Sequence, residues 1–186
     1  MFMEMAHAVS KMSRAVRAKV GALIVRDGNV LSIGFNGTPA RFDNNCEEVE
    51  YVTDADAMYS LRDDMDVTNS MLSLGFTKTL TGWTRLRTKR EVLHAESNAI
   101  SKIARSTQSS EGATLYVTLA PCYECSKLII QSGIKRVVYQ DEYRDASSIT
   151  LLKKANIEVV KYERAFPVCR EVSSSDDSRV YPTRKP

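Results

Sequence analysis

The stretch Ala113-Thr114-Leu115-Tyr116-Val117-Thr118-Leu119-Ala120-Pro121-Cys122-Tyr123-Glu124-Cys125 governs how the rest of the chain is read. Its first seven residues alternate as a strand does. Pro121 has a fixed φ and no N–H, which suits the opening of a helix, and that helix runs towards a stop at Gly133. Cys122 and Cys125, three apart, then share one side of the first turn and can grip one ion.

Upstream, His94-Ala95-Glu96 opens a second helix, marked by Ala95, Ala99, Ile100, Ile103 and Ala104 on one apolar face. Both clusters therefore fall at predicted helix starts, where the partial positive charge of the helix end favours thiolates. At a first turn His94 and Glu96 can both lean towards a metal lying beyond the helix end. One imidazole and two thiolates suit zinc and leave a fourth tetrahedral position for water. A structural zinc site normally closes with a fourth protein ligand, and no nearby His or Cys offers one. Zinc lowers the pKa of bound water from ~15.7 to about 7. Glu96 is the candidate shuttle for that water's proton, since a carboxylate alternates between base and acid.

Strands and helices alternate on either side of these two clusters. Met3 to Met12 reads as a helix, and Val20–Val25 and Val30–Phe35 flank Asp27-Gly28 as a hairpin. Arg136–Tyr139 is a strand, Ile149–Ala155 belongs to a helix ended by Asn156, and Ile157–Tyr162 is a last strand. That spacing implies right-handed crossovers and a sheet with parallel members. Between residues 43 and 90 the rhythm is lost. The segment is acidic first (Glu47 to Asp66) and basic later (Lys78 to Arg90), with short helices expected around Val52 to Met65. It reads as an insertion packed on the core or shared between subunits, because a structureless loop of that length is uncommon.

The chain has 186 residues, 43% hydrophobic and 26% charged, with a formal charge of +3. These values fit one soluble domain over residues 1–170, with the insertion at 43–90 and a polar tail at 171–186. The charge is too mild to argue for nucleic acid, and no apolar run reaches membrane-spanning length. The start, Met1 to His7, lacks a basic n-region, so a cytoplasmic location is expected. Cys46 and Cys169 read as ordinary thiols, and His7 as a helix residue.

Gly34-Phe35-Asn36-Gly37-Thr38-Pro39, His94-Ala95-Glu96-Ser97-Asn98-Ala99-Ile100, Tyr116 through Cys125, and Gln131-Ser132-Gly133-Ile134-Lys135 together resemble the cytidine deaminase superfamily. Within it they resemble the deoxycytidylate deaminases, and the long insertion resembles the bacteriophage members. H-x-E with P-C-x-x-C is a recognised signature of zinc deaminases. The resemblance implies a three-layer α/β/α fold with a five-stranded mixed sheet and helices on both faces. It implies hydrolysis of dCMP to dUMP and ammonia, feeding thymidylate synthesis, in the cytoplasm (the host's, if the source is viral). His94, Cys122 and Cys125 would hold one Zn2+ per subunit, with Glu96 as proton shuttle. Asn36 would bond the sugar, Tyr143 would pack on the pyrimidine, and backbone near Ala120 would orient the amino group. A homo-hexamer activated by dCTP with Mg2+ and inhibited by dTTP is the assembly the resemblance implies.

Lys19, Arg26 and Arg41 are the candidates for phosphate or effector contacts, with Arg14, Arg17 and the Arg85–Arg90 cluster as further cations. Two other readings stand beside the leading one. The first is deamination of another base carrier, such as tRNA adenosine or free guanine. The second is a zinc-stabilised binding module without catalysis.

Overall fold

The structure is a computed structural model and describes residues 1–163 apart from residues 63 and 65. Cys169 and the tail at 171–186 lie outside the described residues. The chain begins α1 (Phe2–Ser10), β1 (Gly21–Arg26), β2 (Asn29–Phe35), β3 (Glu47–Thr53), α2 (Asp54–Ser60), α3 (Val67–Ser73), β4 (Thr77–Lys78) and β5 (Gly82–Thr88). It continues α4 (Ala95–Ala104), β6 (Thr114–Leu119), α5 (Tyr123–Gln131), β7 (Arg136–Asp141), α6 (Ser147–Lys154) and β8 (Glu158–Lys161).

Five strands form one sheet in the order β2-β1-β6-β7-β8. β1 runs antiparallel to both β2 and β6, whereas β6, β7 and β8 are parallel. Asp27 and Gly28 turn the first hairpin with positive φ at both residues, as a tight two-residue turn requires. Side chains alternate across the sheet with the strand period of two. Ala22, Ile24, Leu115, Val117 and Val137 face α4, α5 and α6, meeting Ala99, Ile103, Ile129 and Leu152. Leu23, Val25 and Val138, one step out of phase, meet Met3, Ala6 and Val9 of α1 on the other face. A Cβ at Gly21 would lie 2.1 Å from the Ala6 carbonyl oxygen, so α1 seats on β1 backbone to backbone. Helices lie on both faces, giving the mixed three-layer sheet that the resemblance implies.

The insertion corrects an expectation. A short helix does form at Asp54–Ser60, but the segment is built on a second sheet of three antiparallel strands, ordered β3-β5-β4. β3 reads Glu-Glu-Val-Glu-Tyr-Val-Thr, and its charges hide the alternation that marks a strand. They are matched across the ladder: Glu50 lies opposite Arg85 and bonds it at 2.8 Å, and Glu48 lies opposite Arg87. Beneath this sheet, Ala57, Met71, Phe76 and Trp83 form a small separate core with Val52, Leu61 and Val67. The turn joining β4 to β5 is closed by Thr79, whose N–H and hydroxyl both donate to the Gly82 carbonyl, leaving Leu80 fully exposed at the apex. At its root the insertion is tied back by the Lys89 N–H, which donates to the Cys46 carbonyl at 2.9 Å. Among the described residues, no helix is long and apolar enough to cross a membrane.

Candidate active site

The end of the main sheet where β6 and β7 finish is also where β1 begins and β2 ends, so four connections converge there. In open α/β sheets, ligands favour the carboxyl ends of the parallel strands. A cavity of about 400 Å³ lies at this end, within the size range of small-ligand sites. Its wall includes Asn36, His94, Glu96, Ala120, Cys122 and Tyr143. Residues from four separate parts of the sequence are thus brought to one wall.

α4 and α5 both point their N-termini at this cavity. His94 is the N-cap of α4 in extended conformation, and its ring makes no capping bond. Its Nδ1 instead lies 3.4 Å from both the Cys122 and the Cys125 Sγ. Cys122 is the N-cap of α5, its sulfur accepting from the Cys125 N–H at 3.4 Å. All three ligand atoms lie within 4.8 Å of one another, the one cluster of this kind among the described residues. Ligands about 2.1 and 2.3 Å from a zinc ion at tetrahedral angles are themselves roughly 3.6 Å apart. The two observed nitrogen–sulfur distances fit a shared zinc ion.

Two anchors hold His94 in place. Gly37 and Leu93 exchange backbone hydrogen bonds at 3.1 and 2.9 Å, pinning the chain just ahead of the histidine to the end of β2. One turn on, Asn98 Nδ2 donates to the Phe35 carbonyl at 2.7 Å, and a turn beyond that Lys102 Nζ donates to that of Ile33 at 2.9 Å. The motif that carries the ligand therefore also carries its own fastening.

The sequence pattern of the cytidine and deoxycytidylate deaminase zinc-binding region matches residues 1–141. The chain belongs to this family. It is 35% identical over 169 residues to the deoxycytidylate deaminase of Enterobacteria phage T4, covering 84% of this chain and 86% of that one. Against the human deoxycytidylate deaminase it is 32% identical over 181 residues, covering 95% and 84%. Among solved structures, the dCMP deaminase of cyanophage S-TIM5, in complex with dCMP and dUMP, superposes with a TM-score of 0.64 at 33% identity. That likeness covers 87% of this chain and 93% of the cyanophage enzyme.

In this deaminase-family site the three ligands are a zinc-binding set, and the protein's own charges prepare it. Cys122 is pushed down to about 4 by a hydrogen bond with Cys125 and by the imidazole of His94. The Cys125 thiol is pushed up by the same hydrogen bond, so the pair keeps one proton. The Cys122 bond also holds His94 above its ordinary value, against the opposing effect of burial. Glu96 is buried, and burial pushes its carboxyl up to about 7. A carboxyl poised near neutrality at a cavity wall can both take and give a proton.

Asn36 lies at the wall with its amide bonded to the backbone of the preceding loop. Its Oδ1 accepts from Val20 N–H, and its Nδ2 donates to the Ala18 carbonyl, both at 2.8 Å. Ala120 is buried, its N–H donating to the Asp141 carbonyl at 2.8 Å. Tyr143 is 38% exposed and lines the cavity.

The cations divide differently from expectation. Lys19, Arg26 and Arg41 are not among the lining residues. Arg26 ends β1, about 16 Å of extended chain from Gly21 at the site end, and bonds the Ser109 and Glu111 carbonyls instead. The lining arginines are Arg17, before β1, and Arg144, after β7. Arg144 was missed by sequence reading. Its one available signal was its place directly after Tyr143. Glu47 and Thr88, from the root of the insertion, were missed as well.

Proposed function

We propose that the protein is a zinc-dependent dCMP deaminase, converting dCMP and water to dUMP and ammonia. The observation that carries this reading is the placing of buried Glu96 in the same cavity as His94 and Cys122, two members of the His94, Cys122 and Cys125 ligand cluster. The similarity to phage and human deoxycytidylate deaminases supports the choice of base and carrier.

His94, Cys122 and Cys125 hold the ion. Zinc there supplies the Lewis acidity that makes water acidic near neutral pH. Glu96 takes a proton from the attacking water and passes it to the pyrimidine ring nitrogen, then takes the proton of the new C4 hydroxyl and gives it to the amino group, which leaves as ammonia as the C4 carbonyl forms. Tyr143 packs on the pyrimidine, and Asn36 meets the sugar while fixing residues 18–20. Arg17 and Arg144, the arginines that line the cavity, receive the 5′-phosphate in this reading. The resemblance further supports a homo-hexamer in the cytoplasm, activated by dCTP with Mg2+ and inhibited by dTTP.

Ammonia release from dCMP by the zinc-loaded protein tests the reading, beside parallel reactions with CMP, dCTP, guanine and tRNA. Turnover of dCMP that collapses in Glu96→Ala, with zinc content retained, is expected. Inosine formation in tRNA with dCMP inert would overturn it. Light scattering and a dCTP/Mg2+ titration test assembly and regulation.

A further inference from the structure

Glu47 is 6% exposed although it is a carboxylate, and it begins a strand of the insertion. Burying such a group is costly unless it is bonded. Its Oε1 accepts from two successive backbone N–H groups, Val16 at 2.9 Å and Arg17 at 3.3 Å. Thr88 is its cross-strand partner on β5, and the Thr88 hydroxyl accepts from Arg17 Nη1 at 3.5 Å. The insertion therefore holds Arg17 twice, by its backbone through Glu47 and by its guanidinium through Thr88. All three residues line the cavity that holds His94 and Glu96. Arg17 is otherwise on an exposed loop, where a long side chain loses much rotamer freedom when it is fixed.

We infer that Glu47 is a positioning residue which, with Thr88, presets Arg17 for the substrate phosphate and makes the insertion a specificity element of the site. This rests on the dCMP reading above. Glu47 itself touches no reacting atom in this scheme. Its effect is on how well a phosphorylated substrate is held, and a substrate without phosphate should not sense it.

The test uses the full zinc-loaded chain with Glu47→Ala, Glu47→Gln and Arg17→Ala, on dCMP and on deoxycytidine. Glu47→Ala should raise the KM for dCMP about tenfold with kcat within about twofold, the pattern of lost uniform binding. Its kcat/KM on deoxycytidine should stay within about twofold of the parent. Glu47→Gln keeps an oxygen for both N–H groups and should restore most of the KM. In the Arg17→Ala background, Glu47→Ala should add little, since the two act as one unit. Titration calorimetry with inorganic phosphate gives a readout independent of turnover, and Glu47→Ala should weaken that binding by a similar factor.

Equal losses on dCMP and deoxycytidine, or unchanged phosphate affinity, would overturn the inference and leave Glu47 a structural residue. Failure of the parent itself on dCMP would instead overturn the proposed function. Phosphate affinity would then still decide the role of Glu47.

Discussion

Gly34 of β2 and Ala95 of α4 approach so closely that a Cβ on Gly34 would lie 2.0 Å from the Ala95 carbonyl oxygen and 2.6 Å from the Ala99 nitrogen. No rotamer change relieves a clash with backbone, so α4 would have to lift away from the sheet. The residues on either side of Ala95 are His94 and Glu96, so the same displacement would open the ligand set. Gly34→Ala should destabilise the protein by about 3 kcal/mol, the upper part of the usual overpacking range. It should also weaken zinc binding. Thermal unfolding and competition with a zinc chelator measure the two effects.

Glu96 gives a pH-dependent prediction for chelator-treated protein. Its folded pKa of about 7 lies above the ordinary 4.5. Between those values the folded state holds the proton more tightly than the unfolded state, so stability falls as pH rises from 4.5 through 7. Glu96→Gln removes that loss. It should raise stability little below pH 4.5 and by up to about 3 kcal/mol above pH 7. The same substitution should cost about 10²–10⁴-fold in dCMP turnover once zinc is restored. A stability gain over the parent that is no larger at pH 8 than at pH 4 would refute the burial argument.

Zinc uptake should release protons. Before the metal binds, Cys122 is the thiolate and Cys125 keeps its proton, while His94 is shifted towards its charged form. Binding needs both thiolates and a neutral imidazole. Release at pH 7 should therefore fall between roughly one and two protons per ion. Calorimetry in buffers of different ionisation enthalpy counts them. Metal analysis should find one zinc ion per chain, and Cys125→Ser should bring that close to zero.

Asn36→Ala should loosen the loop before β1, because both ends of the amide hold it, through Val20 and Ala18. A loss of about 1–3 kcal/mol is expected from two backbone groups deprived of their partner. Amide exchange at Val20 should accelerate more than at β6. Unchanged exchange with impaired turnover would instead assign Asn36 wholly to the sugar.

The zinc ligands were readable because each fact about them is local. His94 and Cys122 open helices whose apolar faces have the right period, and the hairpin is marked by Asp27-Gly28. The insertion sheet was not readable. β3 pairs with β5 across some thirty-five intervening residues, and Glu50 meets Arg85 where a strand pattern would place apolar residues. Arg26 is set apart from the cavity for the opposite reason. It is near the site in sequence, yet five strand steps carry it to the far end of β1. Arg144 and Glu47 reach the cavity only through tertiary closure, which a linear pattern does not record.

The turn at Leu80 has a practical meaning. It lies at the tip of a sheet with its own small core, while that sheet meets the cavity only at Glu47 and Thr88, the opposite end of the β3–β5 ladder. Exposed loop tips accept added chain with little loss. An affinity handle grafted between Thr79 and Gly82 would sit at the end of the β3–β5 ladder away from the cavity, leaving the lining residues Glu47 and Thr88 untouched.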